Sequence, residues 1–351
     1  MKIAILGHFA ENKEFCDGQT VKTRELYNAF KDYSNCSLTK IDTYNWKRHP
    51  FKLLLNIKKH LNNSDVLIIM PASNGVKVFV PIINHFNKKH KCKIFYSVIG
   101  SWLSNLAKQK GKNFILQLDK LDGIWAETKK LKDDLENLGL KNVKIIENFK
   151  NLSLANIDKV KIYDEEVRRF CTFSRVIKEK GITLAICAIA EINFNHKNIV
   201  AKLDIYGPIG EDYKNEFFGL INKYKDFIEY KGVIDPQSSV DILSKYYCLL
   251  FPTFYKGECL PGTIIDAFFA GLPIIASDWS SCRDILNDNC AIIYDYNSKQ
   301  IGLEKSIKKI LGINKSDYLL MSEYCQEIAE QYKTDNIMGK IFDEISWKYE
   351  L

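Results

Sequence analysis

Residues 251–275 read FPTFYKGECLPGTIIDAFFAGLPII, and this stretch decides the fold class. After a short apolar run, Pro261 and Gly262 begin a predicted helix that ends near Ala270, and a predicted strand, Leu272–Ser277, follows at once. Proline suits the start of a helix, because it lacks the N–H group that would have no partner there. Strand, helix and strand in such close succession predict an α/β domain built on a parallel sheet.

Two carboxylates, Glu258 and Asp266, flank the start of this helix and are separated by seven residues. The free N–H groups of a helix N-terminus form an anion site that the helix dipole favours. The residues expected there are Leu260, Pro261, Gly262 and Thr263. One carboxylate before an anion site and one inside the first turns suit an anion flanked by hydroxyl groups, as a nucleotide-sugar presents. The alternative is a solvated helix that carries two unrelated acids.

The segment resembles the C-terminal donor-site motif of retaining GT-B glycosyltransferases of the GT4 type, the glycosyl transferases group 1. Their pattern is Glu, seven residues, Glu, then Ala-x-x-x-Gly-x-Pro and two hydrophobic residues. This chain has Glu258, Asp266, Ala267, Gly271, Pro273, Ile274 and Ile275 in those places. The resemblance implies that Asp266 binds the ribose diol and that Glu258 contacts hydroxyls of the donor sugar. Asp266 departs from the usual Glu by one methylene, which puts the affinity for the donor in question.

Length and composition indicate a two-domain protein of the reducing cytosol. The chain has 351 residues, of which 46% are hydrophobic and 26% charged, as is typical of soluble globular proteins. Its ten cysteines form no Cys-x-x-Cys pair, which argues against both a disulfide framework and a zinc cluster. We see no targeting segment and no apolar run of about 18–20 residues, so we expect a cytoplasmic location, with the inner face of the cell membrane as one possible site.

The net positive charge of the chain lies in its first 150 residues. Residues 1–150 hold 26 Lys and Arg against 14 Asp and Glu, a net charge of +12, and the remainder has a net charge of −5. This asymmetry predicts an anionic partner for the first half. The sequence has no recognised nucleic-acid-binding module, so we expect an anionic membrane or a lipid-linked pyrophosphate instead. Residues 46–60 mix cations with large apolar residues, as in an interfacial helix or in an ordinary amphipathic helix that covers a sheet.

Apolar runs that recur about every 30 residues, with helical segments between them, predict two doubly wound sheets. The first series of predicted strands is Ile3–Leu6, Val66–Met70, Ile94–Ile99, Gly123–Ala126 and Val143–Ile146. The second is Phe170–Phe173, Lys202–Tyr206, Ile228–Lys231, Cys248–Phe251, Ile274–Ala276 and Ala291–Tyr294. We expect domains at residues 1–155 and 165–333, with Asn151–Glu166 as the linker. The resemblance implies a GT-B architecture: two Rossmann-like domains that face each other across a cleft, and a C-terminal helix, residues 334–351, that returns to the first domain.

A second motif lies in residues 173–181, which read FSRVIKEKG. It resembles the family's Gly-Arg-Leu-x-x-x-Lys-Gly signature, with Ser174 in the place of the glycine. The resemblance implies that Arg175 and Lys180 bind the donor diphosphate and stabilise the charge that develops as the sugar leaves. The alternative is a basic surface loop.

Weaker resemblances extend the predicted site. They are the strand-end turn at Tyr206 and Gly207, the base-recognition loop around Ile234, the glycine loop at Gly18, and the segments bordering an acceptor pocket, with Gly100, Ser101, Trp102, Glu127 and Asn148. Gly18 could equally belong to a plain turn, and Trp102 to a core. Many relatives carry a histidine near residue 100 that reaches the donor sugar, and this chain has none there.

Together these features predict a retaining glycosyltransferase that moves a sugar from a UDP- or GDP-linked donor to a hydroxyl of a glycan or lipid-linked acceptor, in surface polysaccharide biosynthesis. No Asp-x-Asp pair ends a strand, so we expect neither a metal nor a cofactor. Two alternatives remain open: a GT-B sugar-nucleotide epimerase, and a catalytically silent partner protein of the same fold. A dinucleotide-dependent oxidoreductase is disfavoured, because the Gly-x-Gly-x-x-Gly fingerprint is missing after the first strand.

Overall fold

The computed structural model describes residues 1–11, 18–33, 36–89, 91–156 and 158–346. The chain divides into two compact units, one made of residues 1–149 with the C-terminal segment from Thr334, the other of residues 150–333. The predicted linker is therefore part of the second unit. Asp17, at the start of the predicted glycine loop, and residues 347–351, at the end of the predicted last helix, lie outside the described residues.

The first unit is a parallel six-stranded sheet with helices. Its strands are β1 (Lys2–Gly7), β2 (Ser37–Asp42), β3 (Val66–Ile69), β4 (Lys93–Ser97), β5 (Gly123–Ala126) and β6 (Val143–Ile145). The helices within residues 1–149 are α1 (Gly18–Tyr33), α2 (Pro50–Asn63), α3 (Ser73–Phe86), α4 (Leu103–Lys110), α5 (Lys112–Asp119) and α6 (Lys129–Glu136). The strand order is β2-β1-β3-β4-β5-β6.

Strand β2 was not predicted from the sequence. It lies at the edge of the sheet, where it pairs only with β1 among the described strands. Of its six residues only Ile41 is buried. An edge strand that is not buried on both faces needs no continuous apolar run. A prediction from such runs therefore misses β2.

The second unit is built in the same way. Its strands are β7 (Arg168–Phe173), β8 (Ala201–Tyr206), β9 (Ile228–Gly232), β10 (Cys248–Phe251), β11 (Ile274–Ser277) and β12 (Ala291–Tyr294). Its helices are α7 (Lys159–Asp164), α8 (Ile182–His196), α9 (Lys214–Lys223), α10 (Ser239–Leu243), α11 (Gly262–Phe269), α12 (Cys282–Ile285), α13 (Lys299–Leu311) and α14 (Lys315–Ala329). The strand order is β12-β11-β10-β7-β8-β9, again parallel throughout.

The last helix, α15 (Thr334–Ser346), returns to the first unit, as the resemblance implied. Its buried residues Ile337, Met338 and Ile341 join the core of that unit. The ring of Phe342 lies 5.6 Å from that of Phe30 on α1. Within the described ranges, no helix combines the length and the apolar character needed to cross a membrane.

Candidate functional site

The strand order of the second unit defines where a ligand would bind. Strands β7 and β10 are neighbours, but the chain proceeds from β7 towards β8 on one side and from β10 towards β11 on the other. The loops that leave their carboxyl ends therefore diverge, and open α/β sheets bind ligands at such a switch point. Both predicted donor motifs begin here: the loop of residues 174–181 follows β7, and residues 252–261 follow β10.

Glycines allow these loops to approach one another closely. Gly181 has φ +74°, and a Cβ on it would lie 2.0 Å from the Pro252 carbonyl oxygen. Gly207, after β8, has φ +127°, and a Cβ there would lie 1.8 Å from the Ser174 carbonyl oxygen. Any side chain at either position would collide with backbone, so both glycines are required by the packing of the loops. Packing thus accounts for the glycine at position 207, and a ligand contact there stays a prediction.

Lys180 and Glu258 form a buried ion pair. The Lys180 Nζ donates to Glu258 Oε1 at 2.7 Å and to Oε2 at 2.6 Å, and the two side chains are only 10% and 8% exposed. Burial lowers the pKa of Lys180, and the positive charge of Arg175 acts in the same direction. The charge and hydrogen bonds of Glu258 oppose both effects. The two residues that the sequence placed on donor phosphate and donor sugar thus meet at the switch point.

Arg175 lies beside this pair and remains accessible. Its guanidinium carbon is 5.3 Å from the centre of the Tyr255 ring, and Lys180 Nζ lies 5.3 Å from the same ring. Arg175 is exposed, and no carboxylate among the described residues pairs with it. The sequence did not indicate Tyr255, because an exposed tyrosine in a loop carries no pattern of its own. Its ring face gathers the two cations within about 6 Å, the range of a cation–π contact.

The N-terminus of α11 is open. No side chain caps it, and Pro261 precedes the first helical residue, Gly262. The Pro261 carbonyl accepts from the N–H of Ile264 at 3.0 Å, and the Thr263 hydroxyl donates to the Phe173 carbonyl at 2.5 Å. The N–H groups of Gly262 and Thr263 have no acceptor within the described part of the chain, so they can bind an anion. Leu260 is buried.

Asp266 lies on α11 and is almost fully covered. It is 4% exposed; its Oδ1 accepts from the Ser239 hydroxyl at 3.2 Å and lies 3.9 Å from the Lys150 Nζ. Burial raises the pKa of Asp266, against the opposing effects of the Lys150 charge and the Ser239 hydrogen bond. Neither Lys150 nor Ser239 was indicated by the sequence, because both reach α11 from distant positions in the chain.

Two residues that the sequence predicted more weakly for the donor site, Tyr206 and Ile234, lie in different environments. The Tyr206 hydroxyl is buried and bonds to that of Tyr246 at 2.7 Å, which in turn donates to Asp204 at 2.6 Å. The Tyr206 side chain therefore belongs to the core, and only its backbone reaches the strand end. Ile234, in the loop after β9, is half-buried against the core of the unit.

The predicted acceptor residues all follow strands of the first sheet. Glu127 comes directly after β5, and its Oε1 lies 2.5 Å from the Nζ of Lys22 on α1; both residues are buried. The Gly100 N–H, after β4, donates to Glu127 Oε2 at 3.4 Å. Sequence reasoning missed Lys22, because 105 residues separate it from its partner.

The other predicted acceptor residues are Ser101, Trp102 and Asn148, and Gly18 of the predicted glycine loop is described with them. Trp102 donates its indole N–H to the Ile99 carbonyl at 2.7 Å, so that N–H is used within its own turn. Ser101 is half-buried. Asn148, after β6, keeps a buried Oδ1 without a hydrogen bond in the described structure. Gly18 is the exposed first residue of α1, and a Cβ on it would have no neighbour within 4 Å.

Comparison with known proteins gives one family match and many structural ones. Residues 167–311 match the sequence model of the family described as glycosyl transferases group 1. A search of curated protein sequences returns no significant match. No group of three or more His, Cys, Asp or Glu residues within the described ranges is arranged to hold a metal ion.

Several solved structures have the same fold over their whole length. HepE from Anabaena, solved in complex with UDP, has a TM-score of 0.78 at 14% identity and covers 99% of this chain and 100% of its own. Sucrose-phosphate synthase from Thermosynechococcus elongatus has a TM-score of 0.75 at 13% identity, with 99% of each chain covered. The lipopolysaccharide outer core galactosyltransferase WaaB in its apo form has 0.69 at 16%, with 99% of this chain and 100% of its own covered. The predicted GT-B fold is thereby confirmed.

Proposed function

We propose that this protein is a retaining glycosyltransferase that takes a nucleoside-diphosphate sugar as donor. The observation that carries the proposal is the buried Lys180–Glu258 pair at the switch point, beside the accessible Arg175 and the open N-terminus of α11. Three sources of positive charge meet a carboxylate there, and a diphosphate bonded to a sugar needs this combination. The group 1 family match over residues 167–311 supports the same assignment.

Each part of the donor has a group that suits it. Arg175 offers planar, paired donors to the diphosphate, and Lys180 with the N–H groups of Gly262 and Thr263 adds further positive charge. Glu258 can accept from sugar hydroxyls with oxygen lone pairs that Lys180 does not occupy. Asp266 takes the ribose diol. A uridine base is favoured over guanine, because HepE was solved with UDP, with UDP and glucose, and with UDP-glucose.

The proposed reaction exchanges one C–O bond for another on the same face of the sugar. The bond between C1 and the β-phosphate oxygen breaks, and the acceptor hydroxyl oxygen bonds to C1. Its proton passes to the departing phosphate oxygen, so the step needs no protein nucleophile. Arg175, Lys180 and the α11 N-terminus stabilise the negative charge that grows on the leaving group, and they do so more strongly in the transition state than in the ground state. These charges would take the place of a metal ion, and we propose a metal-independent reaction.

The donor site is tested by calorimetric titration with UDP, GDP, ADP, CMP and NAD. We expect one nucleoside diphosphate to bind, and Arg175→Ala to weaken it by at least about tenfold, since charge-assisted hydrogen bonds contribute about 1.5–3 kcal/mol. The matched control is Arg283→Ala, which removes an exposed arginine paired with Asp278 at 3.0 Å. Binding of NAD alone would overturn the proposal. Absence of any binding would favour a catalytically silent partner protein.

Catalysis is tested with the sugar nucleotide that carries the bound base. Transfer to a glycan or lipid-linked acceptor, followed by NMR of the new anomeric proton, should show the configuration of the donor retained. Conversion of the donor into its epimer without an acceptor would indicate the epimerase instead. Addition of EDTA should leave the rate unchanged.

For the acceptor we propose the carboxyl edge of the first sheet. Glu127, held by Lys22 and the Gly100 N–H, and the unpartnered Oδ1 of Asn148 provide the polar groups there. Asn148→Ala should raise the KM for the acceptor and leave donor affinity unchanged. An increased Kd for the donor would place Asn148 in the donor site.

We also propose that the protein contacts an anionic membrane through the outward face of α2, which fits a role in surface polysaccharide biosynthesis with a lipid-linked acceptor. One face of α2 is buried through Leu53, Ile57 and Leu61, as in an ordinary amphipathic helix. The opposite face exposes Phe51 and Leu55, at 80% and 70%.

The charges around this face favour a lipid surface over another apolar surface. The cations are Lys47, Arg48, Lys52, Lys58 and Lys59, all exposed and without a carboxylate partner in the described structure. No acidic residue occurs in residues 43–64. Each cation near an anionic surface contributes about 1 kcal/mol, and the two apolar side chains can enter the headgroup region.

Vesicle co-sedimentation tests this contact. The full-length protein should bind vesicles of phosphatidylcholine with phosphatidylglycerol in preference to phosphatidylcholine alone, and the double variant Phe51→Ser/Leu55→Ser should lose most of that binding. The control is Leu116→Ser, which removes a residue of similar exposure, 56%, from α5. Equal binding to both vesicle types would contradict the membrane contact and leave the donor site unaffected.

A further inference from the structure

We propose that Lys150 is a positioning residue of the donor site: it holds Asp266 as a carboxylate with one oxygen free, so that this short side chain can bind the ribose. The inference rests on the proposed donor site and adds to it a residue outside both sequence motifs. Lys150 lies in the segment just before the predicted linker, at the start of the second unit.

The position of Lys150 is fixed by its backbone. Its N–H donates to the Tyr332 carbonyl at 3.1 Å, and the ring of Tyr332 stacks on that of Phe268 with centres 5.8 Å apart. Further along the same segment, the Ala155 N–H donates to the Phe269 carbonyl at 2.9 Å. The segment therefore lies along α11, where it is anchored near Phe268 and Phe269, two and three residues after Asp266. This contact brings the Lys150 side chain to the carboxylate.

The geometry leaves one carboxylate oxygen available. Oδ1 of Asp266 receives the Ser239 hydroxyl and faces the Lys150 ammonium, whereas no hydrogen bond to Oδ2 occurs within the described residues. The side chains of Lys150 and Asp266 are only 10% and 5% exposed. A buried ammonium favours the ionised form of a neighbouring buried carboxyl, and an ionised oxygen accepts hydroxyl hydrogen bonds about twice as strongly as a neutral one.

Lys150 is the charge that acts on this carboxylate. Helix α11 packs against α10 and α14 and along the segment of Lys150. Burial raises the pKa of Asp266, and the groups that lower it are the Lys150 ammonium and the Ser239 hydroxyl. Without Lys150 the pKa of Asp266 rises further, so the carboxyl would be protonated over more of the acidic range. Its ability to bind a diol would then recover as the pH rises through that pKa.

The experiment compares UDP with 2′-deoxy-UDP, whose ribose lacks one of the two hydroxyls. The wild-type protein should prefer UDP by about tenfold or more. Lys150→Met, which keeps the length and apolar stem of the side chain, should reduce this preference severalfold, because it weakens the binding of UDP, with two ribose hydroxyls, more than that of 2′-deoxy-UDP, with one. Lys150→Arg should restore the preference. The reduction of the UDP preference in Lys150→Met should be largest at low pH and should become smaller as the pH rises.

A double variant separates positioning from a purely structural role. If Lys150 acts through the charge of Asp266, then adding Lys150→Met to Asp266→Asn should reduce UDP affinity no further. Lower thermal stability of Lys150→Met with an unchanged preference for UDP over 2′-deoxy-UDP would overturn the inference and leave the donor site intact. Failure of the wild-type protein to bind any nucleoside diphosphate would instead refute the proposed function.

Discussion

The Lys180–Glu258 pair allows a quantitative prediction for Glu258→Gln. At an effective dielectric constant of about 20, unit charges separated by 2.7 Å attract each other by about 6 kcal/mol. Part of this attraction offsets the cost of burying both charges, and removal of one partner from a buried pair costs about 3–5 kcal/mol in measured cases. The variant keeps the shape of the side chain, so the loss comes from the charge.

The titration of Lys180 sets an upper limit to this cost. Once unpaired, the ammonium can lose its proton, and at pH 7.5 deprotonation of a lysine with an unfolded pKa of about 10.4 costs about 4 kcal/mol. We therefore expect Glu258→Gln to lower the free energy of unfolding of this unit by about 3–4 kcal/mol. For a unit of this size the melting temperature should fall by roughly 6–16 °C.

The dependence on pH has a defined sign. Burial already lowers the pKa of Lys180, and loss of the Glu258 charge and hydrogen bonds lowers it further. Between that lowered pKa and the unfolded value, the unfolded chain binds more protons than the folded one, so the stability of the variant rises with pH. Its deficit relative to the wild type should shrink by up to about 1.4 kcal/mol for each pH unit between 7 and 9.

The assay is urea unfolding followed by circular dichroism at several pH values, with hydrogen exchange of β10 and α11 to assign the transition to this unit. Glu216→Gln is the matched control, because Glu216 pairs with the exposed Lys178 at 3.6 Å and should contribute less than about 1 kcal/mol. The double variant Lys180→Met/Glu258→Gln should be more stable than Glu258→Gln alone. A loss below about 1 kcal/mol, or a deficit that grows with pH, would refute this reasoning.

Three further predictions concern the frame of the second unit and the state of its thiols. Gly207→Ala should destabilise the protein by at least about 2 kcal/mol, since the new Cβ would meet the Ser174 carbonyl and φ is positive; thermal unfolding measures this. Tyr246→Phe should cost about 1–3 kcal/mol, because it removes a donor from the buried Asp204, and urea unfolding measures it. Burial raises the pKa of several thiols, so iodoacetamide at pH 8 should leave them unmodified until denaturant is added, as mass spectrometry can show. These thiols are Cys92, Cys171 and Cys248.

The glycine and tyrosine predictions each have a control variant. Gly219→Ala, on the exposed side of α9 with open space at its Cβ, should be neutral or stabilising. Tyr296→Phe, at an exposed tyrosine, should leave stability unchanged. Equal effects of Gly207→Ala and Gly219→Ala, or of the two tyrosine variants, would contradict the roles assigned to Gly207 and Tyr246. Rapid labelling of the buried thiols in the native protein would show that their environments open readily.

The sequence by itself determined the features that depend on residues close together in the chain, such as the positions of buried strands and the start of a helix. Buried parallel strands such as β3, β5 and β10 are continuous apolar runs because helices cover both faces of the sheet, so their positions could be predicted from composition alone. The start of α11 at Pro261 and Gly262 follows from the chemistry of proline. The resemblance of residues 251–275 then identified the GT-B fold, which the structural comparisons confirm.

Only the tertiary structure decided which charges meet. Lys180 and Glu258 are 78 residues apart, and Lys22 and Glu127 are 105 apart, so no local pattern records either pair. The sequence did not indicate Lys150, because its contact with Asp266 on α11 exists only in the folded chain. Tyr206 looked like a strand-end ligand, yet its side chain bonds within the core. Local periodicity encodes helices and strands, whereas the partners of buried polar groups depend on how the sheet brings distant loops to the same edge.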